Sequence, residues 1–415
     1  MRPSRNIFFV LGLVSVLVCA HAASALTQPP HWVASWAAAQ QVPEPANALP
    51  VEALHDATAR QIFRLSIGGH RLRVHLTNVY GTSPLHFTAV HIARPYATNS
   101  SAVDPATDRA LTFAGQSDVV VPAGAEYLSD PVEYPVAALT DIAVSFHLDA
   151  PPSVETSHPG SRTTSYYMHG DQTAAAQLKD AQHVDHWFQV SAIDVEAAPG
   201  SAAIVALGDS ITDGRGSTTN GNDRWTNLLA ARLNTNPKTR SLAVVNLGLG
   251  GNCILSEGLG PTLVARFDRD ALTPAGVRWL VIFEGVNDLG ALALRSEASA
   301  ADHAALVDHI TAAYRQMIER AHTHGLQVYG ATITPWVGSG YYKPSAANEA
   351  DRQAVNAWIR AAGHFDAVVD FDRVLSDPAH PERLLPAYDS GDGLHPSPAG
   401  YKALAASIPL RLFAR

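Results

Sequence analysis

From Ala202 onward, apolar runs of strand length alternate with longer stretches whose apolar residues fall at helical spacing, and this alternation restricts the chain to few folds. The candidate strands are 203–207, 243–246, 279–283, 327–331 and 367–370. Between them, 224–233, 303–324 and 349–361 read as helices; Leu306, Ile310, Tyr314 and Met317 form one apolar stripe. Strands that are apolar throughout and separated by helices imply a parallel sheet covered on both faces. Such sheets bind ligands beyond the carboxyl ends of their strands, so function is sought there.

The preceding half has a different period. From about Trp32 to Val195, the stretches 61–67, 71–77, 87–92, 118–121 and 142–147 are rich in β-branched or alternating apolar residues. Gly68-Gly69, between the first two, signals a hairpin. The expected fold class is thus α/β, a parallel sheet sandwiched by helices, preceded by an all-β sandwich or jelly-roll-like domain. Ala197-Ala198-Pro199-Gly200 reads as a linker, giving a β-rich domain at 26–197 and an α/β domain at 201–415. A length of 415 residues, 47% of them hydrophobic, suits two domains.

Residues 1–25 read as a signal peptide: Arg2 and Arg5, an apolar run from Ile7 to Ala20, then Ala23-Ser24-Ala25 as a small-x-small cleavage pattern. Secretion or a periplasmic location follows. No later stretch approaches about 18 uninterrupted apolar residues, so no membrane span is expected after cleavage. Without the two signal arginines, 27 basic residues face 38 acidic ones, a balance that excludes nucleic acid as a partner. Cys19 leaves with the signal, and Cys253 then lacks a disulfide partner and reads as a small buried hydrophobe. His183, His186, His322 and His324 lack metal-ligand spacing and read as solvated; no metal is expected.

Chemistry-bearing residues gather after the candidate strands. Gly208-Asp209-Ser210-Ile211-Thr212 puts a serine at the first strand end, where a base could activate it. Thr212 stands where a Gly-x-Ser-x-Gly elbow requires glycine. Leu247-Gly248-Leu249-Gly250-Gly251-Asn252 follows the second strand; with Cys253 where a dinucleotide fingerprint needs glycine, what remains is a loop free to aim N–H groups at an oxyanion. Glu284-Gly285-Val286-Asn287-Asp288 follows the third strand and supplies an amide donor. Asp392-Gly393-Leu394-His395-Pro396 adds an imidazole with a carboxylate three residues away that can hold its tautomer.

These four blocks resemble those for which the SGNH/GDSL hydrolases are named, over about 202–415. The resemblance implies a flavodoxin-like SGNH-hydrolase sheet and a serine esterase acting on carboxylic esters without a cofactor. It assigns the nucleophile to Ser210, the base to His395 and its orienter to Asp392. The oxyanion donors would be the N–H groups of Ser210 and Gly251 and the Asn287 amide; Gly251 is preferred to Gly250 because members commonly read Gly-Asn there, as Gly251-Asn252 does. Asn222-Asp223-Arg224-Trp225, the 334–358 segment and Trp32-x-x-x-Trp36 are similar to a XynE-like esterase subgroup with a β-rich N-terminal region.

The expected reaction is attack by Ser210 on an ester carbonyl, with loss of rate as pH falls below about 6.5, where imidazole takes up a proton. The expected substrate is a small-molecule ester or an acylated plant polysaccharide, with acetyl the preferred acyl group. A lipase or arylesterase, a polysaccharide O-acyltransferase using the same residues, and a non-catalytic glycan-binding protein are the alternatives. Trp336, Tyr341 and Tyr342 are candidates for a sugar-stacking surface or an acyl pocket, and Trp225 for the helix core. Asp209 reads at least as readily as a turn residue as it does as a group tuning the serine, and Asp213 is left unassigned. Oligomeric state is left open.

Overall fold

The computed structural model describes residues 29–295 and 297–414, so the expected signal peptide at 1–25 lies outside the described residues. The main strands are β1 (Trp32–Ala37), β2 (Ala57–Arg64), β3 (Gly69–Thr77), β4 (Leu85–Pro95), β5 (Asp141–Leu148), β6 (Val190–Glu196), β7 (Ala202–Gly208), β8 (Leu242–Gly248), β9 (Val277–Phe283), β10 (Gln327–Ala331) and β11 (Ala367–Val369).

In the N-terminal half, a five-stranded antiparallel sheet containing β1, β6 and β3 faces a seven-stranded one containing β2, β5 and β4. Leu72, Val74 and Leu76 from the first share one apolar core with Phe63, Phe87 and Phe146 from the second, as alternation along half-buried strands demands. Trp36 sits in that core 4.2 Å from the Phe63 ring and 4.9 Å from Trp187, which accounts for its place in the Trp32-x-x-x-Trp36 pattern.

The expected Gly68-Gly69 hairpin is not formed. β2 pairs with β5 and with Ser165–His169, whereas β3 pairs with β6, so the glycines carry the chain from one sheet to the other. Leu65 and Ile67 are both buried, and a Cβ at Gly68 would lie 2.3 Å from the Val136 carbonyl oxygen. Close backbone approach at a sheet crossing, rather than a tight reversal, explains the pair.

The C-terminal half holds the parallel sheet, in the order β8-β7-β9-β10-β11. β7 is buried along its whole length. Helices α1 (Ser210–Asp213), α2 (Trp225–Thr235), α3 (Val286–Ala293), α4 (Ala300–Thr323), α5 (Ala346–Arg360) and α6 (Pro398–Ser407) connect and cover the strands. α4 and α5 each open on a capping box, Ser299 with Asp302 and Ser345 with Asn348. Trp225 is fully buried in α2.

From His31 on, the described residues form one compact unit, and the two sheet systems share residues across their seam. Ala34, Ala37 and Ala39 belong to the core of the parallel-sheet half, while Ala203 and Ala243 belong to the sandwich core. Small side chains let the backbones approach closely there. At the sheet edge, the Val244 N–H donates to Ser66 Oγ at 2.7 Å, so the β half satisfies one backbone donor of the edge strand. Among the described residues, no helix is long and apolar enough to cross a membrane.

Candidate active site

β7 is the strand at which the sheet order reverses, and Ser210 follows it directly. Asp209 caps the turn: its carboxylate accepts the Ile211 N–H at 2.8 Å, forcing the chain to bend into α1 immediately after the strand. The Ser210 N–H, first in that helix, has no intrahelical acceptor.

The 389–396 loop brings the base to this serine. Ser210 Oγ lies 2.8 Å from His395 Nε2, and His395 Nδ1 lies 2.6 Å from Asp392 Oδ2. The other Asp392 oxygen accepts the N–H groups of Leu394 and His395 at 3.0 and 2.8 Å. Burial opposes ionisation of Asp392, but these hydrogen bonds outweigh it and hold its carboxyl well below the usual carboxylate range. An ionised carboxylate on Nδ1 puts the neutral imidazole's proton there and leaves Nε2 free to accept the Ser210 proton. The loop folds tightly because Gly393, at φ 71°, passes the backbone of Gly338; a Cβ there would lie 2.2 Å from the Gly338 oxygen.

Gly250, Gly251 and Asn287 line the same cleft as Ser210 and His395. Neither glycine N–H has an acceptor among the described residues, so both are free to meet a ligand oxygen. Asn287 Nδ2 donates to the Asn252 carbonyl at 2.7 Å, and Asn287 Oδ1 accepts from the Tyr342 hydroxyl at 2.6 Å. A carbonyl can only accept, so Asn252 fixes which way the amide faces and leaves the second Nδ2 hydrogen for a ligand. Asn252 is itself held by the fully buried Arg266, whose Nε and Nη2 reach its Oδ1 at 2.9 and 2.7 Å. Asp288 accepts the N–H groups of Ile254 and Leu255 at 2.8 and 2.9 Å, pinning the far side of the glycine loop.

All five residues singled out from the sequence, Ser210, Gly251, Asn287, Asp392 and His395, therefore meet at one cleft or support a residue that does. Arg266, Asp288 and Tyr342 escaped sequence reading as supports of the glycine loop and the Asn287 amide. The only signals were a lone arginine in an apolar stretch, an Asp after the Asn, and a Tyr-Tyr pair. Trp336 is fully buried, its indole N–H on Glu349 at 3.1 Å, so it offers no substrate surface. Tyr341 does: it is exposed at the cleft, edge-on to the His395 ring, with its hydroxyl 2.7 Å from Arg215. His186 is half-buried at the cleft rather than solvated. Cys253 is buried, and burial followed by the nearby Asp288 and Glu284 pushes its thiol up to about 12, so it is no nucleophile at neutral pH.

The Asn222-Asp223-Arg224-Trp225 stretch serves the seam. Arg224 is buried; its Nε donates to the Asp213 carbonyl at 2.6 Å and its Nη2 to the Ser161 carbonyl, tying the helix of Ser210 to the β half.

Residues 206–403 match the family model of the GDSL-like lipase/acylhydrolase family. Among solved structures, the chain is similar to a GDSL-like lipase from Bacteroides thetaiotaomicron (20% identity over 49% of this chain and 84% of that one, TM-score 0.36). It is also similar to an acetyl xylan esterase (18% identity, 49% and 96% covered, TM-score 0.36) and to a variant of an acetyl xylan esterase from Geobacillus stearothermophilus (23% identity, 52% and 95% covered, TM-score 0.36). No curated protein matches the chain.

Proposed function

We propose that the chain is a serine esterase or acylhydrolase of GDSL-like type and that it hydrolyses acetyl esters of plant polysaccharide outside the cytoplasm through Ser210, His395 and Asp392. The observation that carries the catalytic assignment is the run of contacts from Ser210 Oγ to His395 Nε2 at 2.8 Å and from His395 Nδ1 to Asp392 at 2.6 Å. Secretion rests on the pattern of residues 1–25, and the proposed domains remain 26–197 and 201–415. The XynE-like subgroup rests on its sequence stretches alone.

His395 accepts the Ser210 proton as Oγ bonds to the ester carbonyl carbon, and the carbonyl π electrons move onto oxygen. The N–H groups of Ser210 and Gly251 and the free Asn287 Nδ2 hydrogen receive that oxyanion. Collapse breaks the bond to the alcohol, which leaves with the proton held by His395. Water then gives a proton to His395 and attacks the acetyl-enzyme; collapse releases acetate and returns the proton to Ser210. Asp392 stays ionised throughout and holds the imidazole.

The test is acetate release from acetylated xylan, measured beside p-nitrophenyl esters of rising chain length, for wild type and Ser210→Ala. Release from xylan with a preference for acetyl, lost in the variant, supports the proposal. Preference for long acyl chains with xylan untouched would favour a lipase, and a Ser210→Ala protein at wild-type rate would remove the nucleophile assignment.

A further inference from the structure

The cleft around Ser210, about 570 Å³ in volume, is walled by both halves of the chain. On the parallel-sheet side its rim carries Leu259, Leu294 and Tyr341, 53%, 65% and 50% exposed, beside the exposed Arg215 and Glu257. The opposite wall comes from three separate segments of the β half and is polar and charged, with Glu44, Asn47, Arg162, Asp185 and His186. An acetyl methyl group has no use for such a wall.

That wall is rigidly set against the nucleophile. His158 Nε2 pairs with Asp213 Oδ1 at 2.9 Å while its Nδ1 meets the Ala39 carbonyl at 2.7 Å, and both side chains are buried. Asp213 ends the short helix that Ser210 begins. Gly160 lies so close to Asp213 that a Cβ would fall 1.8 Å from Oδ2, so the 158–162 segment closes onto the serine helix only with glycine there. Within the wall, Glu44 accepts from Gln41 and Asn47 at 2.9 and 2.6 Å, and Asp185 accepts from Thr164 at 2.9 Å.

Two groups on this wall are left over. Arg162 has φ 49°, a strained value for a side-chain-bearing residue, and its carbonyl is fixed by the Asn220 N–H at 2.8 Å. Among the described residues, its Nε and the His186 Nδ1 are buried atoms without a hydrogen-bond partner. Buried polar atoms are rarely left so unless a ligand or water completes them.

We propose that the β-half wall of Glu44, Asn47, Arg162, Asp185 and His186 is a subsite for the alcohol part of the substrate, and that this alcohol is polyhydroxylated, a sugar residue of an oligosaccharide. Fixed carboxylates accept from sugar hydroxyls, and the guanidinium donates to them. The inference rests on the esterase reading for its reaction, but sugar binding by the wall can be measured without it.

The experiment uses Arg162→Gly, which removes the guanidinium and suits the positive φ, and Asp185→Asn as a second variant. For each, kcat/KM is measured on p-nitrophenyl acetate and on an acetylated xylo-oligosaccharide, two esters with one acyl group and different alcohols. The ratio of the sugar ester to the aryl ester should fall about tenfold, chiefly through KM, as the loss of one charged hydrogen bond implies. A ratio within twofold of wild type in both variants would overturn the subsite while leaving the esterase reading intact. In parallel, unesterified xylohexaose is titrated into Ser210→Ala and Ser210→Ala/Arg162→Gly. Binding weakened by the second substitution supports the subsite even if wild type proves inert on every ester, and no binding to either protein overturns it.

Discussion

The 389–396 loop and the interior behind the strand ends both hold carboxyl groups, and they treat them oppositely. Asp392 is only partly buried, and the donors around it hold it ionised. Asp209, Glu284 and Asp288 are buried close to one another; burial first, then mutual repulsion for Asp209 and Glu284, raises Asp209 to about 7, Asp288 to about 6 and Glu284 well above the usual range. Among the described residues, both Glu284 carboxyl oxygens are buried without a hydrogen-bond partner, the situation in which a carboxyl keeps its proton. One residue class thus supplies a fixed charge where an imidazole needs orienting and, at Glu284, a carboxyl that keeps its proton, as burial without hydrogen-bond donors favours the neutral form.

The comparison breaks first at Asp392. Asp392→Asn keeps the shape but removes the charge that sets the His395 tautomer, so kcat should fall by about 10⁴ with circular dichroism unchanged. A loss below tenfold would mean the loop carboxylate does not orient the base. Asn287→Ala, which deletes an oxyanion donor, should cost about 10²–10³ in kcat in stopped-flow or steady-state assays, with KM little moved. Tyr342→Phe removes only the bond that steadies the Asn287 amide, so about tenfold in kcat is expected. An unchanged kcat there would show that Asn252 alone suffices.

The interior group is sharpened by stability instead. An acid whose pKa is raised by folding stabilises the fold below its unfolded pKa, and that contribution is lost as pH rises through the folded value. The Asp209 contribution should therefore be lost between about pH 4 and its value of about 7, read by chemical denaturation as the pH-dependent difference between wild type and Asp209→Asn. That difference should change by about 1–3 kcal/mol across the interval. Glu284→Gln, neutral for neutral, should leave kcat within about twofold, the smallest effect of the set; a large loss would mean that Glu284 is charged in the working enzyme.

The parallel half was the more legible in sequence because its strands are buried on both faces. The run at 203–207 lies inside the observed Ala202–Gly208, and 327–331 coincides with Gln327–Ala331. In the β half, 61–67 overlaps Ala57–Arg64 only in part, since Leu65 and Ile67 continue the apolar pattern into the crossing between sheets. Val190–Glu196, central to the five-stranded sheet, carries Asp194 at a buried position, where it binds His75 and Arg73, so its alternation is interrupted. The candidate site was readable where its residues follow strands or sit three apart. The β-half wall was not, because Glu44, Arg162 and Asp185 reach the cleft through a long-range packing that no local spacing encodes.

The central claim is that Ser210 is the activated nucleophile, and covalent labelling tests it most directly. After reaction with a fluorophosphonate, peptide mass spectrometry should find a single adduct on the peptide carrying Ser210, strongly reduced in Asp392→Asn and absent in Ser210→Ala. An adduct on another serine, or undiminished labelling of Ser210→Ala, would contradict it.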